Sequence, residues 1–427
     1  MTRTLAMLLP ALIATLPWLD PCAVRAQGVV RDSVGAISSG RGGANIAHSD
    51  NGAIILDNPA GLVNMAVPRR FDLGLDTLFT DLDYTDLQNN ADGEVVPFPL
   101  PQFAYAEKAG NGRWAYGVGV FAPAGFGATY KLDHLLYGKR NYQSVGALIK
   151  ILPTLAYKID DRLSVGGTFG LAVSHARLHE PFNLQTGLLA GLPTLVDLEA
   201  TGFAPTWSAG LQYELTEDTT IGLAYRAETR FRLDGDLRCD VTGTGFPLLA
   251  SAYDARVDLV WPGSLGLGVK HRFAKKHQVS ADVVWFDWSH AFDKLDLKLT
   301  HGSNPLFDMI LGRKVRDRLL LDWRDSVALR VGYEYDITPK DVLRLGYIYH
   351  RNPIPDHTLC PLLMGTLEHA FSVGYGHDWG EWRMDVGYQY SFGPTNHVSR
   401  SSFVGGDFDF STGKAQAHWL FVGFSFF

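Results

Sequence analysis

The chain has 427 residues, with 38 Lys and Arg against 45 Asp and Glu and a formal net charge of −7. That balance excludes nucleic acid as a partner. The absence of any apolar run of about 18 residues beyond the first segment excludes membrane-spanning helices. After that segment only Cys239 and Cys360 remain, too few for a disulfide scaffold, and geometry decides whether they form a single bridge.

The first element is an export signal, residues 1–26. Met1-Thr2-Arg3 is a positive start, Leu5 to Trp18 is apolar over the length of a signal core, and Val24-Arg25-Ala26 offers small residues before Gln27. Pro10 and Pro17 argue against a core helix, and "LDPC" around Cys22 is not a lipobox. Residues 27–68 come next and do not alternate. "ISSGRGGANIAHSDNGAIILDNPAGLVNM" is rich in Gly, Ala, Asn and Ser, with a short helical piece from Ala53 to Leu56. Its Ile54, Ile55, Leu56, Leu62, Val63 and Met65 are more than a disordered tail needs. This segment is expected to fold as a plug.

From residue 69 to 427 the sequence alternates with period two. "SVALRVGYEYDI" places Val327, Leu329, Val331, Tyr333 and Tyr335 on one face and Ser326, Ala328, Arg330, Gly332 and Glu334 on the other. "WRMDVGYQY" repeats the pattern, and "VDLVWPGSLGLGV" puts Val257, Leu259, Trp261, Leu265, Leu267 and Val269 on one face. A β-sandwich alternates too, so the connections discriminate. Short turns at 110–112, 160–161, 217–219, 275–277, 338–340 and 380–381 interleave with long loops near 80–97, 127–143, 179–201, 237–253, 300–320, 353–366 and 393–411. Short turns on one side and long loops on the other define an outer-membrane barrel. The spacing predicts an all-β, 14-stranded antiparallel transmembrane barrel with the plug in its lumen and both termini on the short-turn, periplasmic side. Trp207, Trp261, Trp285, Trp288, Trp379, Trp382 and Trp419 are expected in the two interfacial girdles.

Strand 3, "RWAYGVGVFAPAGFGATY", is weakened by Gly117, Gly119 and Gly125, and Pro123, beside Ala124, removes a ladder donor, so a bend or lateral opening is expected there. The loop "HEPFNLQTGLLAGLPTLV" offers Phe182, Leu184, Leu188 and Leu189 for capture of an apolar cargo, and "TGFPLLASAY" offers Phe246 and Leu248. Arg330, Arg344, Arg383 and Lys270 face the lumen by parity and, with Glu334 and Asp385, read as an ion-pair network. The last strand, "AHWLFVGFSFF", is apolar on both faces, which argues against a water-filled pore. His175 and His179 stand roughly 13 Å apart along a strand, too far for one metal ion.

"LDNPAGL" (Leu56 to Leu62) resembles the Asn-Pro-Ala motif in the hatch of the FadL-type outer-membrane transporters of long-chain fatty acids and aromatic hydrocarbons. "NYQSVGALIKILPTLAYKIDDRLSVGGTFG", "GLQYELTEDTTIGLAYRAETRFRLDGDLR", "SADVVWFDWSHAFDKL" and "DWRDSVALRVGYEYDITPKDVLRLGYIYHRNPIPD" resemble that family's strands, in order. The resemblance implies a 14-stranded barrel with an N-terminal hatch that takes up hydrophobic compounds passively. Capture would occur on the long loops and exit sideways at strand 3, with Asn58, Pro59 and Ala60 gating the path. It places a basic residue for a carboxylate near His175 and Arg177, although their parity is lipid-facing and contact with lipopolysaccharide is the other reading. It also implies recognition by the barrel assembly machinery through Phe427, a location in the bacterial outer membrane, a monomeric state and no cofactor. The rival readings are a general porin and an outer-membrane lipid hydrolase; "HGSN" (His301 to Asn304) is the only segment that suggests the latter, and Pro305 follows where a glycine would be wanted.

Overall fold

The computed structural model describes residues 29–185, 187–188, 190–245, 249–311 and 313–427; the export segment 1–26 lies outside them. Fourteen staves form one closed antiparallel sheet. They are β1 (Arg69–Thr85), β2 (Phe98–Lys108), β3 (Trp114–His134), β4 (Gly138–Lys158), β5 (Leu163–Asn183), β6 (Pro193–Thr216), β7 (Thr219–Arg226 and Thr229–Asp240), β8 (Ala250–Trp261 and Ser264–Phe273), β9 (His277–Phe286 and Lys294–Thr300), β10 (Lys314–Leu320 and Ser326–Asp336), β11 (Asp341–His350), β12 (His369–Asp378), β13 (Trp382–Phe392) and β14 (Ser411–Phe426). β14 closes on β1 from Phe71 against Phe426 to Thr85 against Thr412. Closure leaves no edge to be solvated in lipid.

The tight turns lie where the sequence places them, at the same end as Phe71 and Phe426. One long loop does not exist. Residues 127–143 are strand except for a turn at 135–137, because β3 and β4 stay paired from Gly127 against Val145 to His134 against Gly138. β3, β4 and β5 each run 21 residues and β6 runs 24, twice the roughly 9–11 that cross a bilayer. Their upper halves form a collar beyond it.

Alternation sorts the residues as expected over most of the wall. Val327, Leu329 and Val331 face outward, while Ser326, Ala328 and Arg330 are buried inside. The pattern breaks at a seam. β7, β8, β9 and β10 are interrupted at 227–228, 262–263, 287–293 and 321–325, and parity changes across each interruption. In β8, Val257, Leu259 and Trp261 point into the lumen, whereas Leu265, Leu267 and Val269 face lipid; Pro262 and Gly263 insert between them the residue that turns the strand over. Three tryptophans assigned to the girdles are lumenal: Trp261 and Trp288 at the seam, and Trp419 on the inward face of β14, are 1–3% exposed. Trp207, Trp285, Trp379 and Trp382 keep an outward position. Cys239 and Cys360 are both buried and free, so no bridge links them.

Residues 29–68 fill the lower lumen as α1 (Ala36–Gly40), α2 (Ile54–Asp57) and a 3₁₀ turn, Pro59–Asn64. Ile54, Ile55, Leu56, Leu62, Val63 and Met65 pack with Ala104, Ala106, Ala115, Leu152 and Ala156 of the wall. The small wall residues let the hatch backbone approach. A Cβ on Gly166 or Gly210, which pair across β5 and β6, would strike Pro59 or Asn58. On the far side a charge chain, largely buried but exposed at Asp50, ties hatch to wall. Arg41 holds Asp50 (2.7 Å) and Glu334 (3.0 Å), Glu334 holds Arg344 (2.8 Å), and Asp385 takes Arg344 and Arg383 (both 2.8 Å). The network foreseen from parity thus contains Arg344 and Arg383. Arg330 instead reaches the Gly43 carbonyl (3.5 Å), and Lys270 makes no ion pair among the described residues.

Candidate transport path

The wall is incomplete beside the bend in β3. β2 and β3 are paired from Lys108 against Ala115 only as far as Phe103 against Val120. Beyond that, β2 continues along β1 through Pro101 against Leu75 and Pro99 against Thr77. A proline has no N–H, so residues 98, 100 and 102 supply the donors to β1, and the side of β2 turned to β3 carries none. On β3 the register against β4 shifts between Phe121 and Ala124, a bulge at Ala122-Pro123. Alternating prolines in "PFPLPQ" were the signal in the sequence for this break.

The opened edge of β3 is covered from inside by the tip of the hatch. Val30 bridges to Ala124, with Arg31 N donating to Pro123 O (2.9 Å) and Gly125 N to Val29 O (2.7 Å). Arg31 fastens the tip. Its guanidinium donates to Asp76 on β1 (2.5 Å) and to Ala122 O (3.2 Å), and lies 4.7 Å over the ring of Trp419. The inward aromatics of β14 are thus a bed for the hatch tip, which accounts for a final strand apolar on both faces. A cavity of ≈40 Å³, lined by Phe103, Phe121, Gln102 and residues 34–38 of the hatch, adjoins the point where β2 and β3 part.

Of the strand-3 residues singled out, Pro123, Ala124 and Gly125 are at the break. Gly117 and Gly119 are not: both are paired with β2, against Ala106 and Ala104, and give room to Ile55 of the hatch. Asn58, Pro59 and Ala60 are the foot of the hatch. The Asn58 amide donates to Ile46 O (2.8 Å) and to Leu211 O of β6 (3.1 Å), while its oxygen caps Ala60 N (3.2 Å). Lys150, unremarked in the sequence, lies opposite Phe121 at the bulge and makes no ion pair among the described residues; Arg226 is the charge that acts on it.

Above the hatch the lumen holds an aromatic nest at the seam. Trp288 contacts Phe292 (5.3 Å between centroids) and Trp323 (5.0 Å), Phe292 contacts Trp323 (4.6 Å), and Trp261 and Phe286 extend the group. Trp261 Nε1 donates to Ser174 Oγ (3.0 Å). Over the nest the outer mouth is closed by two loops. Residues 353–355 and 358–364 are buried in the barrel, where Leu362 O accepts from Ser144 (2.5 Å). The loop at 393–410 crosses above them: Ser402 N donates to His357 O (2.7 Å), and Asp407 accepts from Asn183 N (2.8 Å).

The capture residues divide. Phe182 packs on Phe403 (5.9 Å) beneath this cover, Leu184 is buried beside it, and Leu188 is 80% exposed at the loop tip. Leu189, Phe246 and Leu248 lie outside the described residues. His175 and Arg177 do not reach the lumen. Ser174 points inward to Trp261, the pairing of β5 with β4 is unshifted from Leu171 to His179, and so 175 and 177 face out with Phe169 and Leu171. No bulge re-aims them. In "HGSN", His301 turns to Asp254 (2.7 Å) and Ser303 Oγ accepts from Ala252 N (2.9 Å), so the two do not form a nucleophile–base pair.

His48 and Asp32 are among the titratable groups of the hatch that burial perturbs. Burial, reinforced by Arg41, lowers His48 to about 4. His48, Asp50 and Glu334 bring ligand atoms within 4.8 Å of one another, but Arg41 occupies that space as their counter-charge. Burial raises Asp32 from 3.8 to about 7, against the pull of Arg330 and Arg31. An acid raised on docking stabilises the docked tip below its free pKa, and this contribution is lost as pH climbs to about 7. Amide exchange at residues 29–35, corrected for its intrinsic pH dependence, should therefore speed up from about pH 4 to about pH 7. Asp32→Asn should flatten the change.

Comparison with known proteins places this architecture. Residues 23–426 match the family model described as outer membrane protein transport protein (OMPP1/FadL/TodX). A long-chain fatty acid transport protein of Escherichia coli is 20% identical over 81% of this chain and 80% of its own length. A putative outer membrane protein of Neisseria meningitidis is 24% identical over 75% and 76%. Among solved structures, a Pseudomonas aeruginosa FadL homologue superposes with a TM-score of 0.78 at 18% identity, covering 93% of this chain and 99% of that one. The Pseudomonas putida toluene transporter TodX gives 0.76 at 21%, covering 94% and 99%. The closed 14-stave barrel, its lumen plug and this match along the chain lead to one statement: the protein belongs to the OMPP1/FadL/TodX family of transport proteins and resides in the outer membrane.

Proposed function

We propose that this protein moves hydrophobic small molecules from the outer surface through the aromatic nest and out sideways between β2 and β3 into the bilayer. The observation that carries the reading is the broken ladder beside Pro123, covered among the described residues by the hatch tip at 29–31. Such a route suits a cargo that gains about 0.8 kcal/mol for each CH₂ removed from water, on the order of 13 kcal/mol for sixteen of them. Downhill partition then drives passage.

Phe182, Leu184 and Leu188 serve as the first apolar contact at the mouth, and the two covering loops yield to admit cargo. The Asn58-Pro59-Ala60 foot, tied to β6 through the Asn58 amide, is the pivot of the gate, and the tip swings when Arg31 and its two backbone bonds to β3 release. His175 and Arg177, on the outside of the collar, meet lipopolysaccharide phosphates. The cargoes named for the relatives, long-chain fatty acid and toluene, set the range to test.

The test is uptake of labelled oleate and toluene by cells with and without the gene, beside bilayer conductance of the purified protein. Uptake of either, with no steady sugar or ion flux, is the expected result. Free passage of sugars without hydrophobic uptake would make it a porin. Trp288→Ala should slow uptake about tenfold, as loss of a buried aromatic of this size costs about 3–5 kcal/mol in a packed site and part of that loss falls on cargo held there.

A further inference from the structure

Between the hatch tip and staves β9 to β11 lies a cavity of ≈20 Å³, room for a water molecule. Val30, Phe286, Trp288, Ala328 and Pro353 give it apolar walls, and Asp32, Ser326 and His350 give it polar ones. Asp32 is 8% exposed and His350 6%. The Asp32 Oδ2 and His350 Nε2 atoms are buried and have no hydrogen-bond partner. Native interiors leave few polar atoms in that state, because each forfeits its hydration for nothing. Two in one cavity, at the edge of an aromatic nest, point to a ligand group that bonds both.

The charges around them decide which group. Arg330 and Arg31 act on Asp32, and Arg330 also acts on His350. Neither guanidinium forms an ion pair with Asp32 among the described residues: Arg31 is held by Asp76 and Ala122 O, and Arg330 reaches Gly43 O. Arg31 is neutralised by Asp76, and above about pH 7 the ionised Asp32 offsets Arg330, which leaves little net charge to hold an ion. A carboxylate entering here would lose its water and face Asp32. A bare hydrocarbon would leave both atoms unbonded. A hydroxyl is donor and acceptor at once, and so can bond an acid and an imidazole together.

Resting on the reading of the nest as the cargo site, we infer that this chain selects hydrophobic molecules bearing a neutral hydroxyl, phenol-like ring compounds above all, over bare hydrocarbons and carboxylates. The hydroxyl takes the water-sized cavity beside Asp32 and His350, and the ring takes the place that Trp288 and Phe286 at the edge of the nest yield to it. Hydrogen-bonded sites of this kind discriminate through the atoms they leave unsatisfied when the hydroxyl is missing.

Equilibrium dialysis of the purified full chain in detergent micelles, against protein-free micelles, compares toluene, p-cresol and p-toluate. The expected result is p-cresol bound at least tenfold more tightly than either of the others. His350→Leu, a change in the wall, and Asp32→Leu, a change in the hatch, should each bring p-cresol to within about threefold of toluene. Trp288→Ala should weaken toluene and p-cresol alike. Equal binding of toluene and p-cresol overturns the inference, leaves the nest as a cargo site and reduces the polar pair to a water site. Tighter binding of p-toluate overturns it in favour of an anion held by cations such as Lys150. Failure of all three to bind overturns the reading of the nest itself.

Discussion

A disulfide between Val30→Cys and Ala124→Cys should stop hydrophobic uptake, at least about tenfold, and reduction should restore it. The flanking bonds from Arg31 N to Pro123 O and from Gly125 N to Val29 O make Val30 and Ala124 a close pair of the ladder. Such a pair has Cα atoms about 4.5 Å apart, inside the range a disulfide accepts. Cys239 and Cys360 are free and do not bridge each other, so the engineered pair is the one poised to oxidise. Locking the tip leaves the mouth, the nest and the foot unchanged, which isolates the sideways exit. Equal uptake in the oxidised and reduced forms would mean that cargo leaves elsewhere.

Glu334→Gln should loosen the hatch as a whole. Its carboxylate is shared between Arg41 and Arg344 and also accepts from Gln278 (2.6 Å), all at buried positions. Removing one partner of a buried pair costs about 3–5 kcal/mol, and the low end applies because Asp50 and Asp385 keep hold of the two arginines. The barrel ladder is untouched. The expected result is intermittent ion conductance in planar bilayers, where the native protein is silent, with faster proteolysis of residues 29–68. A silent variant with an unchanged cleavage rate would show that apolar packing around Ile55 and Leu62, rather than charge, seats the hatch.

The wall was legible because burial on one side imposes period two, and Val327 to Tyr335 obey it residue by residue. The extent of the wall was not, since a collar outside the membrane has polar residues on its outer face: Lys131, Asp133 and Arg140 look like loop until Tyr130, Leu132 and Tyr142 are seen buried behind them. Trp261 and Trp288 were misplaced for a different reason. A tryptophan suits an interface and a lumen equally, and the half-turn at Pro262-Gly263 that separates the two choices is a long-range feature of four adjoining staves. In the candidate path, Pro123, Ala124 and Gly125 could be read from proline and glycine chemistry alone. Arg31, Asp76 and Lys150 could not, because each takes its meaning from a partner far along the chain.

The two loops over the nest and the hatch below it give the cylinder a stopper at each end. A conduit built like an airlock need never join the medium to the periplasm by a thread of water. Cells could therefore carry it in high copy without surrendering their resistance to bulky hydrophilic antibiotics, which an open pore of equal girth would admit.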